Sequence, residues 1–292
     1  MIIKQLKTLL LGLCLLLPIH LTLAEQPQPE YEVLDNANLV YLNTTAGLVV
    51  IEVNHRFAPK HAQRFKDLVK SGFYDGLDFY RVIDGFVAQG GDVSGEKESA
   101  FRSTLPAEYT LPVDSKAVVF EVVQSPEFLA AQTGFAHGFP AGRSFNDKQQ
   151  WLLHCPGAVA MARGVKADSA TTDFYIVIGQ APRHLDRNMS IFGQVVYGMA
   201  NVQSIKRGDA AVNGGVIDNE TERTRIISAS IGSDLPADEQ MSLERLHFAS
   251  LAFQSRLRSA RTLDNEFFHY KGTGNLDVCY YRPTVRVRAS ED

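Results

Sequence analysis

The chain has 292 residues, 29 lysines and arginines against 33 aspartates and glutamates, a formal charge of −4, and 45% hydrophobic residues. A surface with that balance does not attract nucleic acid or anionic lipid. The length suits one large domain with an appendage, or two domains.

Lys4 and Lys7 precede an apolar run over residues 9–17, and Thr22-Leu23-Ala24 offers small residues before the polar Glu25-Gln26-Pro27-Gln28-Pro29. This is the layout of a secretory signal peptide over residues 1–24, with cleavage expected after Ala24 and a linker over 25–37. No later stretch approaches the roughly 18 to 20 apolar residues that span a bilayer, so the mature chain is expected to be exported, without stable membrane insertion. Cleavage removes two lysines and no acids, which moves the charge to about −6 and leaves Cys155 and Cys279 as the remaining cysteines. They lie too far apart in sequence for a zinc knuckle or a Cys-x-x-Cys redox site.

Residues 38–53, NLVYLNTTAGLVVIEV, read as a hairpin turning at Thr44-Thr45-Ala46-Gly47. Pro59 then opens a helix in which Ala62, Phe65, Leu68 and Val69 recur at helical spacing, and Gly72 supplies the stop. The next run, FYRVIDGFVAQGGD over 79–92, threads one arginine through aromatic and aliphatic residues. A guanidinium keeps its charge at any ordinary pH, so Arg81 requires a partner: Asp84, Asp92, or something outside the chain. Further β-rich runs fall at 117–123, 157–162, 174–178, 191–196 and 223–231, with a short helical piece at 199–207. Many short strands with two helices, and no regular strand and helix alternation, predict a mainly β closed barrel rather than a parallel sheet.

Residues 93–156 are rich in glycine and proline and show too little periodicity for elements of their own, so they read as one long loop of the kind that is functional or disordered. After Pro236 the character changes: Leu243, Leu246, Phe253 and Leu257 share one face of a helix expected over 238–260, with Arg245, Arg256 and Arg258 mostly on the other. That helix needs an apolar surface, either the barrel or a second copy, and docking on the barrel is preferred. In an oxidising compartment Cys155 and Cys279 are expected to pair, tying this tail to the barrel.

Ala58-Pro59-Lys60, the helix end VKSGFYDG, then FYRVIDGFVAQGGD, GAVAMAR, DFYIVIG and HLDRNMSIFGQVVYGM stand in an order and spacing that resemble a cyclophilin-type peptidyl-prolyl isomerase. The resemblance covers 38–232 with an enlarged middle segment, leaves 233–292 outside, and points to the divergent, exported bacterial branch of the family, with a periplasmic location. It implies an eight-stranded antiparallel barrel capped by two helices, rotation about the bond before proline, proline-containing polypeptides as substrates, and no cofactor.

Carried onto this sequence, the resemblance implies that Arg81 is catalytic, that Phe86 forms the floor of the proline pocket and that Gln89 binds the peptide backbone and orients the arginine. Leu185 corresponds to a pocket wall, and Ala162 to the strand edge along which the peptide lies. Departures from the family pattern are Val87 for methionine, Arg163 for asparagine, Asp173 for glutamine, Tyr175 for phenylalanine, His184 for tryptophan or phenylalanine, and Met189 for histidine. Asp173 threatens the chemistry most, because a carboxylate beside Arg81 would form an internal ion pair competing with substrate. His184 has no second histidine or cysteine within ligand spacing, so no metal is expected. The rival to an isomerase assisting the folding of exported proteins is a binding module, chaperone or assembly factor that keeps the groove without the chemistry.

Overall fold

The computed structural model describes residues 30–179 and 183–289. The predicted signal peptide and the first part of the predicted linker lie outside the described residues. The chain begins with β1 (Tyr31–Val33), β2 (Leu39–Thr44) and β3 (Gly47–Val53), then α1 (Pro59–Lys70), β4 (Asp78–Ile83) and β5 (Val87–Gly91). A middle segment follows with β6 (Leu111–Pro112), β7 (Phe120–Gln124), β8 (Gln132–Ala136), β9 (Phe139–Ser144) and β10 (Gln149–Leu152). The barrel resumes with β11 (Ala158–Met161), β12 (Phe174–Val177), β13 (Ile191–Tyr197), the short α2 (Met199–Gln203) and α3 (Ala210–Asn213), and β14 (Thr224–Ile231). The tail holds β15 (Leu243–Leu246), α4 (Leu251–Thr262) and β16 (Val285–Val287).

Eight of these strands close an antiparallel barrel in the order β11-β12-β5-β4-β14-β2-β3-β13. Period-two alternation decides which side chains fill it. In β2 and β3, Val40, Leu42, Val49, Ile51 and Val53 enter the barrel core, while Leu39, Tyr41 and Val50 point outward into a second cluster with Leu34 and Leu243. Helix α1 closes one end, burying Ala62, Phe65, Leu68 and Val69. The Phe65 ring lies 4.8 Å from Phe192 and 5.3 Å from Phe174, tilted and edge-on arrangements that favour the ring quadrupoles.

The N-terminus of α1 is completed by a distant residue. Pro59 needs no amide partner in the first turn, and Ala58 provides no side-chain cap. Glu108 instead accepts from the backbone N–H of Lys60 at 3.0 Å and of His61 at 3.1 Å, and bonds the His61 ring at 2.8 Å.

Three expectations are corrected. The segment 93–156 is no bare loop: it builds a five-stranded antiparallel sheet in the order β6-β10-β9-β8-β7. One face of that sheet puts Ala136, Phe139, Ala141 and Leu152 against the outside of the barrel; the other puts Val123, Phe135, Trp151 and Leu153 against the tail. With both faces covered, the polar half of the strand alternation is missing. The linker is also partly structured, because β1 joins β15 and β16 in a three-stranded sheet. The predicted helix 238–260 divides into a strand and the shorter α4, capped at its N-terminus by Ser250, whose hydroxyl accepts from the Phe253 N–H. Phe253 and Leu257 dock on the inserted sheet, rather than on the barrel or a second copy.

Cys155 and Cys279 form the expected disulfide, across 124 residues. Cys155 ends the inserted segment, so the bridge ties the tail where insert and barrel meet. Thiol labelling of the unreduced, denatured protein is expected to leave both cysteines unmodified, and labelling of both contradicts the bridge. Loop-closure entropy for this span gives Cys279→Ser a stability loss of up to about 4 to 5 kcal/mol in denaturant unfolding.

The Glu108 contacts predict a pH dependence. Burial pushes the carboxyl up, but hydrogen bonds from the His61 ring and the two backbone N–H groups outweigh it and hold the group below the ordinary glutamate range. A depressed carboxyl stabilises the fold above its unfolded value of about 4.3, and that gain is lost as pH falls through the folded value. Glu108→Gln is expected to cost about 1 kcal/mol at neutral pH in urea unfolding, with the difference from wild type shrinking below about pH 4. A difference independent of pH contradicts the capping role.

Candidate active site

The β4–β5 hairpin carries the polar half of the site. Its register pairs Asp78 with Gly91 and Arg81 with Gln89, with a shift between them, so Phe79 and Tyr80 oppose the single residue Gly90. Such a bulge re-aims side chains. Phe79 enters the barrel core, while Tyr80 and Arg81 both bond Gln89. Arg81 Nη1 donates to Gln89 Oε1 at 3.2 Å, and Arg81 Nε donates to the Gly214 carbonyl at 2.9 Å.

Among the described residues Arg81 has no carboxylate partner. Asp84 pairs with Arg207 at 3.1 Å, and Asp92 pairs with Arg102. Asp173, expected as a rival of substrate for Arg81, makes no contact with it. Its Oδ2 accepts from the Tyr80 hydroxyl at 2.7 Å, and its Oδ1 accepts from the Asp92 N–H at 3.1 Å and the Thr172 hydroxyl at 3.2 Å. Gly91, at φ 141°, makes room for this carboxylate, since a Cβ there would overlap the Asp173 side chain. Burial, reinforced by the Asp173 charge, raises the Tyr80 hydroxyl far above the ordinary phenol range, so Tyr80 stays protonated.

Beside this polar rim lies an apolar patch. Val87 and Tyr175 are buried in the cluster between barrel and insert, and Phe86, Ala162, Leu185 and Met189 pack against it while remaining partly open. Pairing of β5 with β12 sets Gln89 opposite Tyr175 and Val87 opposite Val177. The His184 ring stacks on Phe86, 6.0 Å between centroids and 5° from parallel. The Ala162 N–H is already donated to the Asp173 carbonyl at 2.8 Å. Arg163 is turned to the neighbouring loop: it donates to the carbonyls of Asn188 at 2.9 Å and Gly164 at 2.8 Å, and sits over the Tyr109 ring.

The insert braces the pocket wall from behind. The Tyr175 hydroxyl bonds His154 Nε2 at 2.9 Å, and His154 Nδ1 bonds Asp186 at 3.0 Å. Burial lowers the His154 ring despite Asp186, so at neutral pH the ring is neutral, donating from Nδ1 and accepting at Nε2. Arg187 reaches Asp147 at 2.8 Å and Gln149 at 3.0 Å, over the Trp151 ring. These contacts hold the loop that carries His184, Leu185 and Met189.

The structure thus gathers Arg81, Phe86, Val87, Gln89, Tyr175, His184, Leu185 and Met189, with Ala162 at the rim; Arg163 and Asp173 take other partners. Sequence reasoning missed Tyr80, Gly214, His154 and Asp186. Tyr80 had one signal, a hydroxyl beside Arg81 in an apolar strand; the others are brought in by distant segments. Among the described residues no group of three histidine, cysteine or acidic side chains is placed to hold a metal ion.

The sequence model of the family described as "Cyclophilin type peptidyl-prolyl cis-trans isomerase/CLD" matches residues 39–231. A "Probable peptidyl-prolyl cis-trans isomerase" of Brucella abortus (strain 2308) is 32% identical over 204 residues, covering 68% of this chain and 85% of the relative. "Peptidyl-prolyl cis-trans isomerase A" of Dickeya dadantii (strain 3937) is 28% identical over 172 residues, 58% of this chain and 70% of the relative. The crystal structure of cyclophilin AquaCyp293 from Hirschia baltica superposes with a TM-score of 0.72 at 27% identity, covering 90% of this chain and 95% of that one. With its closed eight-stranded barrel and a family match across that barrel, the chain belongs to the cyclophilin-type peptidyl-prolyl cis-trans isomerases.

Proposed function

We propose that the groove beside Arg81 is the isomerase site, that it acts on proline-containing segments of exported polypeptides, and that the protein works in the periplasm. The observation that carries the site assignment is Arg81 itself: a guanidinium held by two neutral acceptors, next to an apolar patch floored by Phe86. Neutral acceptors orient the charge without cancelling it, and the remaining N–H groups stay available to substrate.

Rotation about a prolyl bond meets a barrier of about 18 to 20 kcal/mol because amide resonance gives the C–N bond double-bond character. In the twisted state the nitrogen pyramidalises and its lone pair leaves the carbonyl. A planar guanidinium offers one N–H to the substrate carbonyl and another to that nitrogen, an interaction stronger in the twisted state than in the planar one. The proline ring occupies the patch of Phe86, Leu185 and Met189, with the stacked His184 as its outer wall. Asp173 bonds Tyr80 and not Arg81, so the feature that favoured a disarmed binding module is gone.

Export is supported by the apolar run behind Lys4 and Lys7 and by the disulfide, since such bridges persist in oxidising compartments. N-terminal sequencing of the protein from a periplasmic fraction is expected to begin at Glu25. Intact chain confined to the cytoplasm contradicts the assignment.

A protease-coupled assay on a proline tetrapeptide tests the site. Arg81→Ala is expected to lower kcat/KM by roughly thirtyfold to a thousandfold, the effect of deleting one preorganised donor, with the fold intact. Arg81→Lys is expected to fail as well, because an ammonium lacks the planar fork. Phe86→Ala is expected to act chiefly on KM. A loss of less than about threefold in Arg81→Ala rules out the role assigned to the arginine.

A further inference from the structure

Tyr80 and Asp173 lie behind the groove and belong to a connected chain of side chains: Asp173, Tyr80, Gln89, Arg81. Its polarity follows from counting donors. An ionised carboxylate only accepts, so the single proton of the Tyr80 hydroxyl goes to Asp173 Oδ2. The Tyr80 oxygen is then left to accept, and the partner it accepts from is Gln89 Nε2. An amide that spends its nitrogen on Tyr80 presents its oxygen to Arg81, which only donates. One arrangement of protons satisfies all four groups.

We infer that Asp173 and Tyr80 are positioning residues for the isomerase: the Asp173 charge fixes the direction of the Tyr80 hydroxyl, which fixes the orientation of the Gln89 amide, which holds Arg81 for substrate. The inference rests on the assignment of the site to Arg81 and deepens it. The seat of the carboxylate is built for the purpose, with Gly91 opened to admit it and the Asp92 N–H and Thr172 hydroxyl bonding its second oxygen. Those two contacts keep Oδ2 turned to Tyr80. The bulge in β4 belongs to the same device, because it brings Tyr80 alongside Arg81 over one glutamine.

An amide at position 173 breaks the logic. Asparagine can offer an N–H to the Tyr80 oxygen, which turns the hydroxyl proton toward Gln89, flips that amide, and sets its NH₂ group against the Arg81 N–H. Removing the hydroxyl in Tyr80→Phe takes away the acceptor that anchors Gln89 Nε2, so the amide is held from the Arg81 side alone, while Asp173 keeps its other two bonds.

The test is a mutant cycle in the protease-coupled assay, using the mature wild type, Tyr80→Phe, Asp173→Asn, Gln89→Ala, and Tyr80→Phe combined with Gln89→Ala. In the wild-type background Tyr80→Phe and Asp173→Asn are each expected to lower kcat by about threefold to thirtyfold with KM within about twofold. In the Gln89→Ala background Tyr80→Phe is expected to cost less than about twofold, because its effect travels through the glutamine. Equal losses in both backgrounds mean a merely structural role and overturn the inference, as does full activity of Tyr80→Phe. The Arg81 Nε–H and Gln89 side-chain amide resonances supply a readout that does not need turnover. Both are expected to shift in Tyr80→Phe, and an unmoved Arg81 signal overturns the relay even if the wild type proves inactive, a result that would count instead against the isomerase site.

Discussion

The proposed site rests on a positive charge that its own chain orients and does not neutralise. Arg81 is bonded by an amide oxygen and a backbone carbonyl, while neighbouring acids are taken elsewhere: Asp78 by Arg223, Asp84 by Arg207 and Asp92 by Arg102. A carboxylate in direct contact would hold the guanidinium more tightly and spend the charge. The negative charge that is present, on Asp173, stands two side chains away and acts through Tyr80 and Gln89. Orientation is thereby separated from neutralisation, which suits an amide rotation that needs a preorganised donor and no cofactor.

The enlarged middle segment serves the same geometry from the other side. Its sheet is a middle layer, with the barrel on one face and the tail on the other. From it come His154, bridging Tyr175 to Asp186, and the acceptors for Arg187. The loop of His184, Leu185 and Met189 is therefore bound to a packed layer, and the disulfide at Cys155 secures the tail to that layer. A pocket wall whose rotamers are locked from behind loses less freedom when a proline ring enters.

The barrel is legible in the sequence because its strands keep period-two alternation and its first helix keeps the 3.6-residue repeat, as Val40 and Leu42 or Phe65, Leu68 and Val69 show. Arg81, Phe86 and Gln89 are legible through ordered motifs rather than through periodicity. The inserted sheet is hidden for a physical reason: Trp151 and Leu152 are both buried, on opposite faces, so the alternation that marks a strand is absent. The tail misleads by chance spacing, since Leu243 and Leu246 sit in a strand whose three-residue interval imitates a helix turn. Asp173 is set beside Arg81 by the resemblance alone, which does not register the β4 bulge that brings Tyr80 alongside Arg81. The bulge and the space at Gly91 decide for the tyrosine.

The most direct test of the charge itself is to replace the Arg81 guanidinium with the neutral, nearly isosteric ureido group of citrulline by semisynthesis, and to measure cis–trans exchange of a proline peptide by NMR exchange spectroscopy. The Nε–H bond to Gly214 and the planar shape survive this change; the positive charge does not. If an oriented, unneutralised charge carries catalysis, exchange falls to near the uncatalysed rate while the protein remains folded and still binds peptide. Exchange close to the wild-type rate would show that shape and apolar contact suffice, and would contradict the role assigned to Arg81.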